Sequence, residues 1–108
     1  MIKRDNLHIA GIKQELDFIG QHIAAIGREE FLANEVLQHA LSMSLITIGE
    51  CANHLSDSFK ACHSDIEWLQ IVAVRNIAAY GYWQLNMEQI WQAVEEDIPK
   101  LNKFFAQF

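Results

Sequence analysis

Apolar side chains recur every three or four residues along most of this chain, and that spacing restricts its fold more than any other feature. An α-helix has about 3.6 residues per turn, so such a spacing places the side chains on one face of a helix. In the first helix, Asp5 interrupts the register and Gly27 is a candidate stop. The positions that define this face are Ile2, Ile9, Ile12, Leu16, Ile19, Ile23 and Ile26.

A short connector separates the first helix from the second. Residues 28–33 are predicted to form a single helical turn, and Asn34 is predicted to be the N-cap of the second helix. The apolar arc of the second helix is wide enough to predict two neighbours, one of which can be another subunit. Its central stripe is Leu37, Leu41, Ser44, Ile48, Cys51 and Leu55, flanked by Val36, Ala40, Met43, Leu45, Ala52 and Phe59.

Two further helices are predicted in the second half. The segment 64–67, Ser-Asp-Ile-Glu, has the pattern of a capping box ahead of a third helix that begins near Trp68. A similar pattern at 86–89 precedes the fourth helix, where Pro99 predicts a kink. One face of the third helix would carry Leu69, Val72, Asn76 and Ala79, and the stripe of the fourth is Met87, Trp91, Val94, Ile98, Leu101, Phe105 and Phe108.

No segment has the alternation or the turn dipeptides typical of strands. We therefore predict an all-α protein, an antiparallel four-helix bundle with a short extra helical turn between the first two long helices. The length of 108 residues predicts a single domain, 1–108.

Composition and charge exclude several function classes. The net charge of −6 opposes unaided phosphate binding, so DNA binding and broad nucleic-acid affinity are not expected. No apolar run approaches the roughly 18 residues of a membrane span, and no membrane association is expected. Two cysteines and the absence of an export signal predict a cytoplasmic protein.

A polar segment follows the apolar run 69–74 and contains Arg75, Asn76, Tyr80 and Tyr82. On an α-helix, residues seven apart are rotated by about 20°, so Arg75 and Tyr82 are predicted to share a face. Tyr80 would be rotated by about 140° from Arg75 unless Gly81 ends the helix. The segment is either a functional site or an ordinary polar helix end.

This segment resembles the motif of the HepT-like group of HEPN proteins, which is Arg-x4-His-x-Tyr at the end of the third helix. Arg75 and Tyr82 match its first and last positions. The resemblance covers nearly the whole chain and implies a four-helix bundle of HEPN type. It extends through Phe31-Leu32-Ala33-Asn34-Glu35, Gln38-His39-Ala40, Ile48-Gly49-Glu50-Cys51-Ala52-Asn53, Trp68 and Asp97-Ile98-Pro99-Lys100-Leu101.

The resemblance implies metal-independent cleavage of RNA by a homodimer whose paired motifs form one site, with no cofactor. Arg75, Asn76 and Tyr80 would occupy the catalytic positions, with Arg75 as a bidentate clamp for phosphate. The resemblance also implies a nucleotidyltransferase antitoxin as partner. This partner would transfer AMP to Tyr82 and thereby silence the toxin.

Tyr80 stands where the family motif has histidine. Histidine exchanges protons near neutral pH, whereas a phenol with a pKa of about 10 stays mostly protonated. Met43 stands where many relatives carry arginine, so a phosphate contact would be weaker. These two differences favour an alternative function, a nuclease-inactive HEPN dimer that docks the nucleotidyltransferase and accepts its nucleotide.

Other clusters have simpler interpretations. Cys51, His54, Cys62 and His63 are potential zinc ligands, but their spacing matches no common zinc module. A buried thiol and surface histidines are therefore favoured, and no metal site is predicted. Glu50 is predicted to form a structural ion pair, with Arg75 as the candidate partner.

Two residue groups remain. The carboxylates at 95–97 are interpreted as a solvated face, with docking of a basic partner as the weaker alternative. Trp68, Trp83 and Trp91 are interpreted as core or interface anchors.

Overall fold

The fold is an all-helical bundle, as predicted. The computed structural model describes residues 3–81 and 87–108, and at residues 80 and 81 it describes the backbone alone. These residues contain no strand, and none of their helices combines the length and apolar character needed to cross a membrane. The elements are α1 (Lys3–Ile23), α2 (Arg28–Leu32), α3 (Glu35–Asn53), α4 (Asp57–Cys62), α5 (Trp68–Asn76), the π-helical turn π1 (Ile77–Gly81) and α6 (Met87–Phe105).

The predicted apolar stripes form the core. Helices α1, α3, α5 and α6 are the four helices of the bundle, and α2 is the predicted extra turn. Pro99 lies within α6, which continues to Phe105, and the kink stays a prediction. Buried positions on the two longest stripes are Ile9, Ile12, Leu16 and Ile19 of α1, and Met87, Trp91, Val94, Ile98, Leu101 and Phe105 of α6.

Asp5 interrupts the stripe of α1 because it has a polar partner in the interior. Its side chain is only 1% exposed, and its carboxylate accepts hydrogen bonds from the Ser56 amide at 2.8 Å and the Ser56 hydroxyl at 2.6 Å. Burial works to raise the pKa of Asp5, but these two bonds, helped by the charge of Arg4, hold it below its ordinary value. Because Ser56 follows the end of α3, the start of α1 lies beside the end of α3, and the two helices are antiparallel.

Several helix boundaries differ from the predicted ones. Helix α1 ends at Ile23, before Gly27, and Gly27 is instead the N-cap residue of α2 with an extended backbone. Helix α3 begins after Asn34, whose side chain accepts a hydrogen bond from the Leu37 amide as predicted, but it ends at Asn53. A separate helix, α4, follows because the Ser56 hydroxyl accepts from the Phe59 amide and starts a new helix.

The predicted capping box before α5 does not form. Helix α5 begins at Trp68 as predicted, but its N-cap residue is Glu67, which makes no side-chain capping hydrogen bond. Ser64 and Asp65 lie before the helix, so the reciprocal Ser–Glu pairing of a capping box has no place there.

The face of α5 that carries Leu69 and Asn76 points to solvent. Leu69 is 87% exposed and Asn76 is also exposed, whereas Val74 of α5 and Ala78 of π1 are buried. A nine-residue helix with apolar side chains all round gives no periodic signal that distinguishes its two faces.

The aromatic residues anchor both ends of α6. Trp91 is buried and packs on Phe31, with ring centroids 5.2 Å apart. Trp68 packs edge-on against Phe104 and Phe105, and its indole Nε1 donates to the His63 carbonyl at 3.1 Å. The prediction that these two tryptophans are anchors is confirmed, and Trp83 lies outside the described residues.

Candidate functional site

Arg75 and Glu50 form an ion pair between α5 and α3. The Arg75 Nη1 donates to the Glu50 Oε1, as the sequence predicted for Glu50. The two side chains are 26% and 45% exposed, so the pair lies at the rim of the interior and water reaches both groups. A pair this exposed stabilises a fold by about 1 kcal/mol or less, so its main effect is to orient the guanidinium.

Gly49 allows this contact because it lets the two helices approach closely. A Cβ at position 49 would overlap the Arg75 Cβ and would stand 2.7 Å from the Arg75 Cγ. The aliphatic stem of Arg75 therefore lies directly on the backbone of α3, and the next residue, Glu50, meets its guanidinium. Only glycine leaves room for that stem.

Arg75 keeps donors that Glu50 does not use. The buried Arg75 Nε makes no hydrogen bond to any residue that the structure describes. A guanidinium has five N–H donors in a planar fork, so one edge can hold a carboxylate while another binds an anion. The Arg75 Nε is enclosed, so it is not the donor that an anion from solvent would meet.

A π-helical turn begins two residues after Arg75. Asn76 ends α5 and is exposed, and Ile77–Gly81 is π-helical. A π-helix closes i→i+5 bonds and rotates less per residue than the α-helix on which the prediction for Tyr80 is based. Turns of this kind occur often at functional sites.

The structure brings only part of the predicted site together. Arg75 and Asn76 are adjacent at the end of α5, and the backbone of Tyr80 lies within π1. The side chain of Tyr80 is not described, and Tyr82 lies outside the described residues. The relation of the two phenols to Arg75 therefore stays a prediction.

An exposed face of α3 leads to Glu50. Val36, Met43 and Glu50 are spaced by seven residues, which places them on one face of the helix. Val36 is 81% exposed and Met43 is 60% exposed. This face, Val36–Met43–Glu50, therefore carries two exposed apolar side chains and, at its end, the Glu50 carboxylate of the ion pair.

The four candidate zinc ligands have separate surroundings. Burial, with the charges of Glu15 and Glu50, raises the pKa of the Cys51 thiol, which keeps it protonated and a poor ligand. His54 contacts the Glu50 carbonyl through Nδ1 at 2.7 Å, and His63 packs in the aromatic cluster with a ring centroid 4.7 Å from that of Phe59. Residues 3–81 and 87–108 include no group of three or more His, Cys, Asp or Glu side chains that could hold a metal.

Gly11 permits a second close approach beside this site. A Cβ at Gly11 would stand 3.0 Å from the Cys51 Sγ, so α1 packs tightly on α3 at this level. Gly20 of the same helix, in contrast, has nothing within 4 Å of an added Cβ.

The fold and the site together define a class of protein. It is an all-helical bundle in which an arginine is oriented at the end of the third bundle helix, α5. The sequence matches the family model described as Ribonuclease HepT-like over residues 12–108. The chain belongs to this family of the HEPN superfamily, which confirms the resemblance seen in its motifs.

Relatives with similar lengths carry ribonuclease names. The chain is 30% identical over 102 residues to "Putative RNase TTE0752" of Caldanaerobacter subterraneus subsp. tengcongensis, an alignment that covers 94% of this chain and 91% of the relative. It is 28% identical over 100 residues to "Probable ribonuclease HepT" of Thermococcus cleftensis, covering 93% and 91%. It is 27% identical over 104 residues to "Putative RNase MJ1380" of Methanocaldococcus jannaschii, covering 95% of each. No solved structure matches the chain.

Sequence reasoning named Glu50 and Arg75 but missed the role of Gly49. The signal was present, since a glycine inside a helix costs about 1 kcal/mol relative to alanine and such a glycine commonly has a packing reason. Which residue approaches could not be read from the sequence.

Proposed function

We propose that this protein is a metal-independent RNA endonuclease and the toxin partner of a nucleotidyltransferase antitoxin. The observation that supports it best is the partly exposed guanidinium of Arg75, held by Glu50 at the end of α5, in a chain of the Ribonuclease HepT-like family. The ribonuclease names of the relatives agree with RNA as the substrate.

Arg75 would bind the scissile phosphate in this proposal. Cleavage builds negative charge on the phosphate oxygens, and a guanidinium oriented in advance stabilises that charge without having to reorganise. Glu50 supplies the orientation, because it holds one edge of the guanidinium toward α3. The exposed Asn76 side chain would donate to a second oxygen of the same phosphate.

Tyr80 would take the proton-transfer position. In RNA cleavage the ribose 2′-oxygen attacks the adjacent phosphorus and loses its proton, and the 5′-oxygen of the next nucleotide leaves and gains one. A phenol can exchange these protons, but its pKa of about 10 makes it a slower base than imidazole at pH 7. We therefore expect slow turnover in the protein as it stands.

The site would be shared between two copies of the chain. The exposed apolar residues Val36 and Met43 lie on the same face of α3 as Glu50. Pairing of this face in a homodimer would remove their side chains from water and bring two Arg75 guanidinia toward one RNA strand. Two guanidinia would also offset the net charge of −6 per chain locally.

The nucleotidyltransferase would silence the toxin at Tyr82. The Tyr82 phenol oxygen attacks the α-phosphorus of ATP, pyrophosphate leaves, and the phenol proton passes to solvent. The new phosphodiester places a negative charge beside the RNA-binding arginine and competes with the RNA phosphate for it.

A second function is favoured by Tyr80 and by the uncharged Met43. In that case the protein is a nuclease-inactive dimer that docks the nucleotidyltransferase and accepts its nucleotide. Both residues lower the capacity of the site for RNA cleavage, whereas neither affects docking or modification of Tyr82.

One experiment separates the two functions. Wild-type protein, Tyr80→His and Arg75→Ala are incubated with single-stranded RNA in the presence of EDTA, and the products are resolved by gel. The nuclease proposal expects slow cleavage by the wild type and a rate about 10²-fold or more higher for Tyr80→His. It expects no cleavage by Arg75→Ala. Absence of cleavage by the wild type would reject the nuclease proposal in favour of the docking function, and cleavage by Tyr80→His alone would identify Tyr80 as the cause.

A further inference from the structure

A pocket whose lining includes neither Arg75 nor Glu50 lies between three helices. It is a cavity of about 180 Å³ between α3, α5 with the segment before it, and α6. Its floor is apolar and consists of five buried side chains, Leu45, Ile48, Val74, Ile98 and Leu101. An apolar cavity of about 150 Å³ is known to hold benzene, so this floor accommodates one ring or a short alkyl chain.

The rim of this cavity is acidic. Asp65, Glu67 and Asp97 line it with three carboxylates, and Lys100 is the one ammonium group in its lining. Two acidic segments of the sequence, 64–67 and 95–97, thus meet at one place. Within the second segment, Asp97 is half-buried whereas the residues at 95 and 96 are exposed.

Asp97 is the partly buried carboxylate of this rim. Burial is the main cause that raises the pKa of the Asp97 carboxyl. The charge of Lys100 lowers this pKa, whereas the charges of Glu96 and Glu67 raise it, and the net shift is upward. An additional positive charge at the rim would therefore stabilise the ionised carboxylate.

We propose that this cavity binds a small primary amine that carries a single ring or a short alkyl chain. The apolar body would lie on the floor formed by Leu45, Ile48 and Val74, and the ammonium group would lie at the rim against Asp97 and Glu67. The combination of a buried apolar floor with an excess of carboxylates at its mouth selects for such a ligand over a neutral or anionic one of the same shape.

The cavity is next to the α3–α5 contact that orients Arg75. Val74 precedes Arg75, and Ile48 precedes Gly49, so a bound amine would touch both helices beside their point of closest approach. An amine bound in the cavity would therefore oppose separation of α3 and α5. The amine site itself does not depend on RNA cleavage, and its test uses no RNA.

The first test compares three ligands of nearly the same shape on the wild-type protein. 2-Phenylethylamine, 2-phenylethanol and phenylacetate are titrated into ¹⁵N-labelled protein at pH 7, and amide shifts are followed. We expect the amine to shift amides of the residues that line the cavity and to bind at least about fivefold more tightly than the alcohol, with phenylacetate weakest. Equal affinities for the amine and the alcohol, or no shifts at millimolar amine, would overturn the proposal.

The second test uses matched carboxylate variants. Asp97→Asn should weaken amine binding by about threefold or more and leave binding of the alcohol unchanged, which shows that the cavity persists. Glu95→Gln is the control, because Glu95 is an exposed carboxylate of the same segment and does not line the cavity. Lys100→Met should strengthen amine binding. If Glu95→Gln weakened binding as much as Asp97→Asn, or if Lys100→Met had no effect, the rim would not be the ammonium site.

Discussion

Gly49 of α3 lies against the side-chain stem of Arg75 of α5, so closely that an added Cβ would stand 2.7 Å from the Arg75 Cγ. This relationship fixes how near the two helices come and where the guanidinium meets Glu50. The candidate site depends on it, because Arg75 and Glu50 are 25 residues apart in sequence.

Gly49→Ala should destabilise the protein. The added methyl group must displace Arg75 or separate α3 from α5, and overpacking of this kind costs about 1–3 kcal/mol. Gly20→Ala is the matched control, because Gly20 also lies within a helix but has nothing within 4 Å of an added Cβ. Gly20→Ala should raise the free energy of unfolding by about 0.5–1 kcal/mol, because alanine has the higher helix propensity. Urea unfolding measures both, and a Gly49→Ala protein as stable as wild type would contradict the close approach.

Arg75→Ala should weaken RNA binding far more than it weakens the fold. Loss of a charged hydrogen bond to phosphate costs about 1.5–3 kcal/mol, or roughly tenfold or more in affinity. The half-exposed ion pair contributes about 1 kcal/mol or less to stability. Fluorescence anisotropy with labelled RNA and thermal unfolding give the two values.

Arg28→Ala controls for loss of a surface arginine. Arg28 forms an exposed ion pair with Glu88, away from α5, and its loss should change RNA binding little. A large loss of stability in Arg75→Ala with unchanged RNA binding would identify Arg75 as a purely structural residue.

The protein should be a homodimer that pairs through the exposed face of α3. Light scattering after size exclusion at micromolar concentration should give about twice the chain mass of 12.4 kDa. Met43→Glu should produce monomers, because it places a charge in the paired apolar face. Leu7→Glu, at a residue of α1 that is 71% exposed, should remain dimeric. A monomeric wild type would reject the shared site.

A cognate nucleotidyltransferase with ATP and magnesium should modify Tyr82 rather than Tyr80. Only Tyr82 matches the tyrosine position of the family motif, and the face that it is predicted to share with Arg75 would let that guanidinium steady the incoming phosphate. Intact mass and peptide mapping detect each added AMP. The label should disappear in Tyr82→Phe and persist in Tyr80→Phe, and the reverse pattern would show that the motif assignment is wrong.

The stabilisation that Asp5 gives to the fold should be lost in acid. Its folded pKa lies below the ordinary value of 3.8, so its stabilisation is fully present above that pH and is lost as the pH falls through the lower folded pKa. Asp5→Asn should lower the free energy of unfolding at pH 7 by about 1–3 kcal/mol, and the difference should shrink as the pH falls below the ordinary value of 3.8. Asp17→Asn, at an exposed carboxylate of the same helix, is the control. Urea unfolding from pH 2 to 7 measures the dependence, and a difference that stays constant with pH would argue against an ionised, hydrogen-bonded Asp5.

The sequence by itself determined the helices and the family. Spacing of apolar residues is local information, and a period of three to four residues specifies a buried helical face wherever the partner lies. The stripes of α1 and α6 and the Asn34 cap were predictable for this reason. The motif around Arg75 likewise identified the Ribonuclease HepT-like family, because it is a pattern of neighbouring residues.

Only the tertiary structure decided how distant residues pair. Asp5 looked like a break in a stripe, and its partner Ser56, 51 residues away, both satisfies the carboxylate and starts α4. The carboxylates at 65 and 97 gave no signal of meeting, and Gly49 gave no indication that Arg75 would lie on it. Such contacts depend on the relative placement of packed helices, which follows from the fit of whole surfaces, and a sequence pattern describes each surface but does not specify which one it meets.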